Sequence, residues 1–343
     1  MNHSYYRPEI DGLRCIAVLA VIIFHAEFSW NGDVLLSGGY IDVDVFFVIS
    51  GYLITSIISR EIAGTGYDVG RFYERRVRRI IPPLLTVVLV SMPFAWFYLL
   101  PSALQDYSGS ILATLGFGSN FWFWLEDSYV AEASLLKPFL HTWSLSVEEQ
   151  FYVAYPLLLI LLTKYFSKYV MAILVVLLLV SLQIAQSTSA TSPDAAFYLL
   201  PARGWELLVG ALIARLELGS ERPTKVGVVA KLMPALGLLL VAAGIYLFDT
   251  ETQHPSYLTI MPVLGTGIVI WFCRDKGSVS YLLSSRPMVS IGLISYSFYL
   301  WHFPIFAIFR ITLGTLTNFD KLLLIGLAFI LSVATYFLVE KPM

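Results

Sequence analysis

The chain has 343 residues, of which 57% are hydrophobic and only 13% charged, and its formal net charge is −2 at pH 7. The mean hydropathy is +0.74. About a quarter of the residues in a soluble domain are charged, so this composition excludes an ordinary soluble enzyme, and two cysteines exclude a disulfide-rich scaffold. The small net charge gives no basic field that would point to nucleic acid. An integral, all-α membrane protein remains.

Long apolar stretches recur along the whole chain, and runs of about 20 such residues are long enough to cross the hydrocarbon core of a bilayer. We interpret residues 1–343 as one polytopic domain with no soluble portion. The pattern predicts ten transmembrane helices, near residues 13–31, 42–60, 80–101, 145–163, 168–187, 200–216, 228–248, 256–273, 289–309 and 322–340.

One further segment, 108–126, is ambiguous because it is rich in Gly, Ser and aromatic residues. Cytoplasmic loops of membrane proteins carry an excess of Lys and Arg. With both termini in the cytoplasm and 108–126 not crossing, only four of the 22 Lys and Arg residues fall outside, namely Lys137, Arg203, Arg310 and Lys321. We therefore predict ten spans and interpret 108–126 as re-entrant or interfacial.

The cytoplasmic side of the predicted protein is basic. Arg14 begins the first span, and the segment FYERRVRRIIPP (72–83) places four arginines in five residues before the third. A stop-transfer anchor explains this pattern, and so does an anion clamp, because arginine suits phosphate. Arg76 and Arg79 share a helical face, but Arg75 and Arg78 have the same spacing, so the residues alone leave the pair open.

A second polar layer lies nearer the outer face. His25 follows Arg14 by eleven residues, about 16 Å along a helix, and His302 falls at a comparable depth. Ionisable groups inside spans are costly and mark functional sites by default, although a hydrogen-bonded packing histidine or an internal Arg203–Glu206 ion pair is a structural alternative. The remaining residues of this layer are Asp44 at the outer end of the second span, His141, Ser144 and Glu148 on one helical face, and Arg203 with Glu206.

The two layers predict two substrates that arrive from opposite sides. An anionic donor would bind Arg14 and the arginine cluster, and acetyl-CoA has the required phosphates, long arm and thioester tip. His25 would act as general base towards an acceptor hydroxyl, with a carboxylate such as Glu148 orienting the imidazole. No HxxxH or HExxH spacing indicates a metal, and no Gly-x-Ser-x-Gly elbow indicates a serine hydrolase.

Seven segments together resemble the membrane-bound acyltransferase-3 family, and within it the O-acetyltransferases of bacterial surface glycans. They are YRPEIDGLRCIAVLAVIIFHAEF, IDVDVFFVISGYLIT, FYERRVRRIIPP, HTWSLSVEEQFYVAYP, ARGWELLVGAL, ISYSFYLWHFPI and FLVEKP. The resemblance implies acetyl-CoA as donor, a sugar hydroxyl on the periplasmic side as acceptor, and essential roles for His25, Arg14 and the Glu148 region. It favours Arg76 and Arg79 over Arg75, because the family pattern places the second arginine directly before Ile-x-Pro.

The resemblance also implies a bacterial inner-membrane location, and we expect lipopolysaccharide O-antigen or a similar lipid-linked polysaccharide as acceptor. Members of this subtype often continue into a periplasmic SGNH domain, so we expect that such a domain, fused or separate, is missing from this chain. A transporter or flippase for a polar or lipid-linked substrate is the alternative. No duplicated halves and no matched pair of broken helices support it.

Overall fold

The computed structural model describes residues 6–30, 33–64, 66–126, 132–219, 227–273 and 277–343. The described chain is almost entirely helical, as predicted, apart from a two-residue hairpin of β1 (Ser29–Trp30) and β2 (Asp33–Val34). The helices are α1 Pro8–Ala26, α2 Asp42–Ala63, α3 Val69–Tyr98, α4 Pro101–Leu115, α5 Ser119–Glu126, α6 Thr142–Tyr165, α7 Val170–Thr191, α8 Pro193–Tyr198, α9 Leu200–Gly219, α10 Val228–Leu247, α11 Ile260–Phe272, α12 Ser278–Leu283, α13 Arg286–Leu293, α14 Ser295–Leu313 and α15 Asn318–Thr335.

A helix lies at each of the ten predicted spans. Within the described residues, seven helices are long and apolar enough to cross a bilayer, or eight if α13 and α14, which meet at 64°, form one bent span. Some boundaries differ from the prediction. The helix α1 ends at Ala26 rather than at residue 31, because Glu27 takes a positive φ of 51°. The number of ten crossings and the cytoplasmic termini stay predictions.

The ambiguous segment 108–126 is divided between two short helices. α4 ends at Leu115, Phe117 adopts a φ of 51°, and α5 has only 8 residues. Buried hydroxyls tie both pieces to the start of α6: Thr114 contacts Thr142 at 2.8 Å and Ser119 contacts Ser146 at 2.7 Å. Neither helix is among those long enough to cross, which agrees with the re-entrant or interfacial interpretation.

The fold divides into two compact units. Unit 1 comprises 1–21, 36–66 and 150–293, and unit 2 comprises 22–35, 67–149 and 294–343. In unit 1, α9 packs against both α2 and α7. Glycine permits the α2–α9 contact, because a Cβ on Gly51 would collide with the backbone of Leu207, and one on Gly210 with that of Val48. Small residues at such crossings let helix backbones touch.

In unit 2, α14 packs against α3 and α15 and is buried along most of its length. Polar and aromatic side chains recur on it at intervals of three and four residues, which places them on one helical face. The residues of this face are Tyr299, His302, Phe303, Phe306 and Arg310. This face carries the candidate site of unit 2.

Candidate active site

Two buried histidines form a hydrogen-bonded pair in unit 2. Nδ1 of His25, near the end of α1, lies 3.0 Å from Nε2 of His302 on α14. Only 4% of His25 and none of His302 is exposed. The two rings stack with centroids 5.2 Å apart, and the edge of Phe303 closes against His25 at 4.8 Å. The sequence analysis placed both histidines at one depth, and the structure brings them into contact.

The hydrogen bonds fix the protonation of both rings. Nδ1 of His302 lies 2.6 Å from the backbone carbonyl oxygen of Tyr299, which accepts only, so Nδ1 carries the proton. A neutral ring then has its lone pair on Nε2, and full burial without an anionic partner favours the neutral form. His25 must therefore donate from Nδ1, which leaves the lone pair of His25 on Nε2. A histidine in this state is ready to accept a proton.

Basic side chains hold the end of α1 in place after His25. Nη2 of Arg310 donates to the carbonyl oxygen of His25 at 2.6 Å and to the Glu27 carboxylate at 2.9 Å. Lys321, 8% exposed, donates to the carbonyl oxygen of Glu27 at 2.5 Å. The last carbonyls of a helix lack intrahelical partners, so these contacts both satisfy them and fix the orientation of the imidazole.

The third histidine of the predicted layer lies beside the pair. His141, in the turn that precedes α6, packs against His302 with ring centroids 5.4 Å apart and stacks on Phe303 at 5.3 Å. The hydroxyl of Tyr299 donates to the carbonyl oxygen of His141 at 2.7 Å, so the Ser144 hydroxyl, 2.8 Å away, donates to Tyr299. His25, His141, His302 and Ser144 thus belong to one cluster.

The carboxylate expected beside His25 has a different neighbourhood. His302 occupies Nδ1 of His25, where the sequence analysis expected a carboxylate such as Glu148. Glu148 is half-buried, and its charge acts on its neighbour Glu149 and on Tyr296. Glu149, which the sequence analysis did not single out, is 8% exposed and leaves Oε1 without a hydrogen bond among the described residues. Because the two glutamates are adjacent, the sequence does not indicate which of them is buried.

The arginines on α3 differ in exposure and in their charged neighbours. Arg76 and Arg79 act electrostatically on Glu149 of α6, and the Arg76 guanidinium lies over the ring of Phe72 at 5.7 Å. Arg75 is exposed, and Arg78 pairs at 2.8 Å with Glu74 one turn earlier on the same helix, both more than half exposed. Arg76 and Arg79, the pair that the resemblance favoured, thus lie within electrostatic reach of Glu149, and Arg79 is exposed like Arg75.

Unit 1 contains a separate buried ionic cluster. Arg203 donates from Nη2 to Asp44 at 2.7 Å and pairs through Nη1 with Glu206 at 3.1 Å, and all three side chains are fully buried. Nε2 of His254 lies 2.9 Å from Nη1 of Arg203 and 3.4 Å from Asp44. Burial lowers the pKa of His254, which lies between α10 and α11, and Asp44 opposes that shift. His254 was not predicted as a site residue, because it does not belong to a helical pattern of polar residues.

Arg14 also lies in unit 1. Its Nη1 pairs with Asp11 at 3.1 Å, three residues earlier on α1, and 17% of its side chain is exposed. The hydroxyl of Tyr6 donates to the same carboxylate at 2.8 Å. Arg14 shares α1 with His25, as predicted, and the structure places its guanidinium beside a carboxylate.

Apolar helices around a fixed, neutral imidazole define a multi-pass membrane protein with a candidate acid–base centre. The chain belongs to the acyltransferase-3 family, since the sequence profile of that family, described as "Acyltransferase domain", matches residues 7–340. The match covers the motifs on which the resemblance rested, except Tyr6 at the start of the first and Lys341 and Pro342 at the end of the last.

Two relatives show how far the similarity extends. The peptidoglycan O-acetyltransferase OatA of Listeria monocytogenes is 31% identical over 98% of this chain and 56% of its own length. The O-acetyltransferase OatA of Staphylococcus aureus (strain NCTC 8325) is 29% identical over 89% of this chain and 51% of its own length. The chain thus spans about half the length of these relatives. No solved structure matches it.

The buried cluster of unit 1 predicts a large stability effect. Arg203→Met leaves Asp44 and Glu206 buried without their cation, which costs about 3–5 kcal/mol of unfolding free energy. The matched change Arg78→Met breaks only an exposed pair and costs at most about 1 kcal/mol. Equilibrium unfolding in mixed detergent micelles measures both, and equal losses in the two variants would refute the structural importance of the cluster.

Proposed function

We propose that this chain is an O-acetyltransferase of the bacterial cytoplasmic membrane that transfers an acetyl group from acetyl-CoA to a hydroxyl of a cell-surface glycan. The observation that carries the proposal is the hydrogen-bonded chain from Nδ1 of His25 through His302 to the carbonyl of Tyr299, which assigns a lone pair to Nε2 of His25. Family membership and the names of two relatives support O-acetyl transfer.

The chemistry follows from the state of His25. Nε2 takes the proton of the acceptor hydroxyl as its oxygen attacks the carbonyl carbon of the thioester. The C–O bond forms, the tetrahedral intermediate collapses, the C–S bond breaks, and the proton passes from the imidazolium to the leaving thiolate. His302 accepts the Nδ1 proton of His25 in a hydrogen bond throughout, which holds the ring in place and stabilises its positive charge.

The donor side of the proposal rests on α3. Arg76 and Arg79 present two guanidinium groups on one face of the helix, and planar guanidinium groups bind phosphate with paired hydrogen bonds. They would hold the phosphates of acetyl-CoA. Glu149 lies within electrostatic reach of both arginines of α3 and therefore adjoins the proposed phosphate site.

The acceptor of the proposal is a glycan, and peptidoglycan is the first choice. The Listeria relative is named for peptidoglycan, whereas the sequence analysis expected O-antigen. Both offer sugar hydroxyls to a neutral base, so the chemistry at His25 is the same. The two acceptors are separated by assay with soluble peptidoglycan fragments and with O-polysaccharide, each supplied with labelled acetyl-CoA.

The function is tested by His25→Ala in proteoliposomes with labelled acetyl-CoA and both acceptors. A positioned general base contributes about 10²–10⁴-fold to the rate, so we expect label transfer to fall by at least about 100-fold. Cys15→Ala, a small buried change on the same helix, is the matched control and keeps its activity. Normal transfer by a folded His25→Ala protein, or no transfer by the wild type to either glycan, would end the proposal.

The donor site is tested by comparing Arg76→Ala with Arg75→Ala. A hydrogen bond to a charged group contributes about 1.5–3 kcal/mol, so loss of Arg76 raises the KM for acetyl-CoA by about tenfold or more. Arg75→Ala removes the same charge from the neighbouring, exposed side chain and changes this KM by less than about twofold. Initial rates at varied acetyl-CoA give both values, and an equal effect of the two substitutions would contradict the assignment.

A further inference from the structure

His141 is a buried polar side chain without a described role in the hydrogen bonding of its cluster. It is 1% exposed, and within the described part of the chain neither ring nitrogen makes a hydrogen bond. The backbone carbonyl of Leu300 lies near enough to favour a proton on the ring, but its geometry with either nitrogen is too poor for a hydrogen bond. A neutral imidazole has one N–H donor and one acceptor, and buried polar groups in proteins are nearly always paired. The unmet donor therefore points to a ligand.

The position of this ring relates it to the base. His141 stacks on Phe303 with an interplanar angle of 14°, and His25 meets the same Phe303 edge-on at 83°. Both rings also pack against His302. The backbone of His141 is fixed as well, because its carbonyl accepts from the Tyr299 hydroxyl. The ring is thus held beside the imidazole pair by contacts that do not use its nitrogens.

The proposed acyl transfer lacks one component, a donor for the oxygen that becomes negative. His302 uses both nitrogens in hydrogen bonds, and His25 uses Nδ1 for His302 and Nε2 as base. Nη1 of Arg310 is also without a hydrogen bond among the described residues, but that guanidinium is anchored to the backbone carbonyl at the end of α1. The ring of His141 lies against the imidazole pair itself.

We infer that His141 is a catalytic residue that donates its N–H to the carbonyl oxygen of the acetyl group in the transition state. This inference rests on the proposed function. As the acceptor oxygen bonds to carbon, the carbonyl π pair moves onto oxygen and the N–H of His141 stabilises it; the pair returns when the C–S bond breaks. No proton leaves His141. A neutral imidazole is a known electrophile of this kind in triosephosphate isomerase, and preorganised donors act strongly in a dry site.

The test uses His141→Phe, which keeps an aromatic ring against Phe303 and removes both nitrogens. Loss of one oxyanion donor lowers kcat by about 10²–10³-fold, and we expect that loss with the KM for acetyl-CoA and for the glycan unchanged. A packing histidine predicts the opposite: replacing an unpaired polar group by an apolar ring of similar shape leaves activity and melting temperature as they were. His141→Gln, which restores an N–H donor, recovers part of kcat.

Trp122→Phe is the matched control, because it removes another buried N–H that lacks a partner among the described residues of unit 2, outside the histidine cluster. It keeps the wild-type kcat. A wild-type kcat for His141→Phe together with an inactive His25→Ala overturns this inference and leaves the proposed function standing. If the Phe variant does not fold, His141→Gln and His141→Leu replace it, and equal kcat values in that pair overturn the inference.

Discussion

One backbone carbonyl sets the chemistry of unit 2. The oxygen of Tyr299 can only accept, so it places the proton of His302 on Nδ1, and that assignment passes through Nε2 of His302 to Nδ1 of His25. The peptide group of Tyr299 thus determines that Nε2 is the basic nitrogen of His25, and a peptide group does not titrate. Burial of both rings keeps water from competing for these hydrogen bonds, and the anchoring of α1 by Arg310 keeps the rings aligned.

The two units bury polar groups in different ways. Unit 2 pairs neutral imidazoles through hydrogen bonds, and the surrounding aromatic rings need only exclude water. Unit 1 buries an arginine among carboxylates, where desolvation is costly and the loss of one partner leaves an uncompensated charge. Asp42 adds to this cost, since both its oxygens lack hydrogen bonds within the described residues.

Hydropathy and spacing foretold much of this architecture. Helices lie at all ten of the predicted spans, and His302, predicted at a depth comparable to that of His25, contacts it in the structure. The break at Phe117 that divides 108–126 depends on one positive φ. A positive φ cannot be predicted at a phenylalanine from residue type. The partner of His25 could not be predicted from the sequence either. Spacing favoured Glu148, but the residue that contacts His25 is His302 of α14, which is distant in the chain. His254 lies in a turn, where helical periodicity carries no information.

Nitrogen-15 NMR of the protein with labelled histidines tests the central claim most directly, with each resonance assigned through single substitutions. At neutral pH, Nδ1 of both His25 and His302 should show the shift and one-bond coupling of a protonated nitrogen, and both Nε2 atoms the shift of a bare one. A proton found on Nε2 of His25 in the resting protein would contradict the account, because that nitrogen then has no lone pair with which to act as a base.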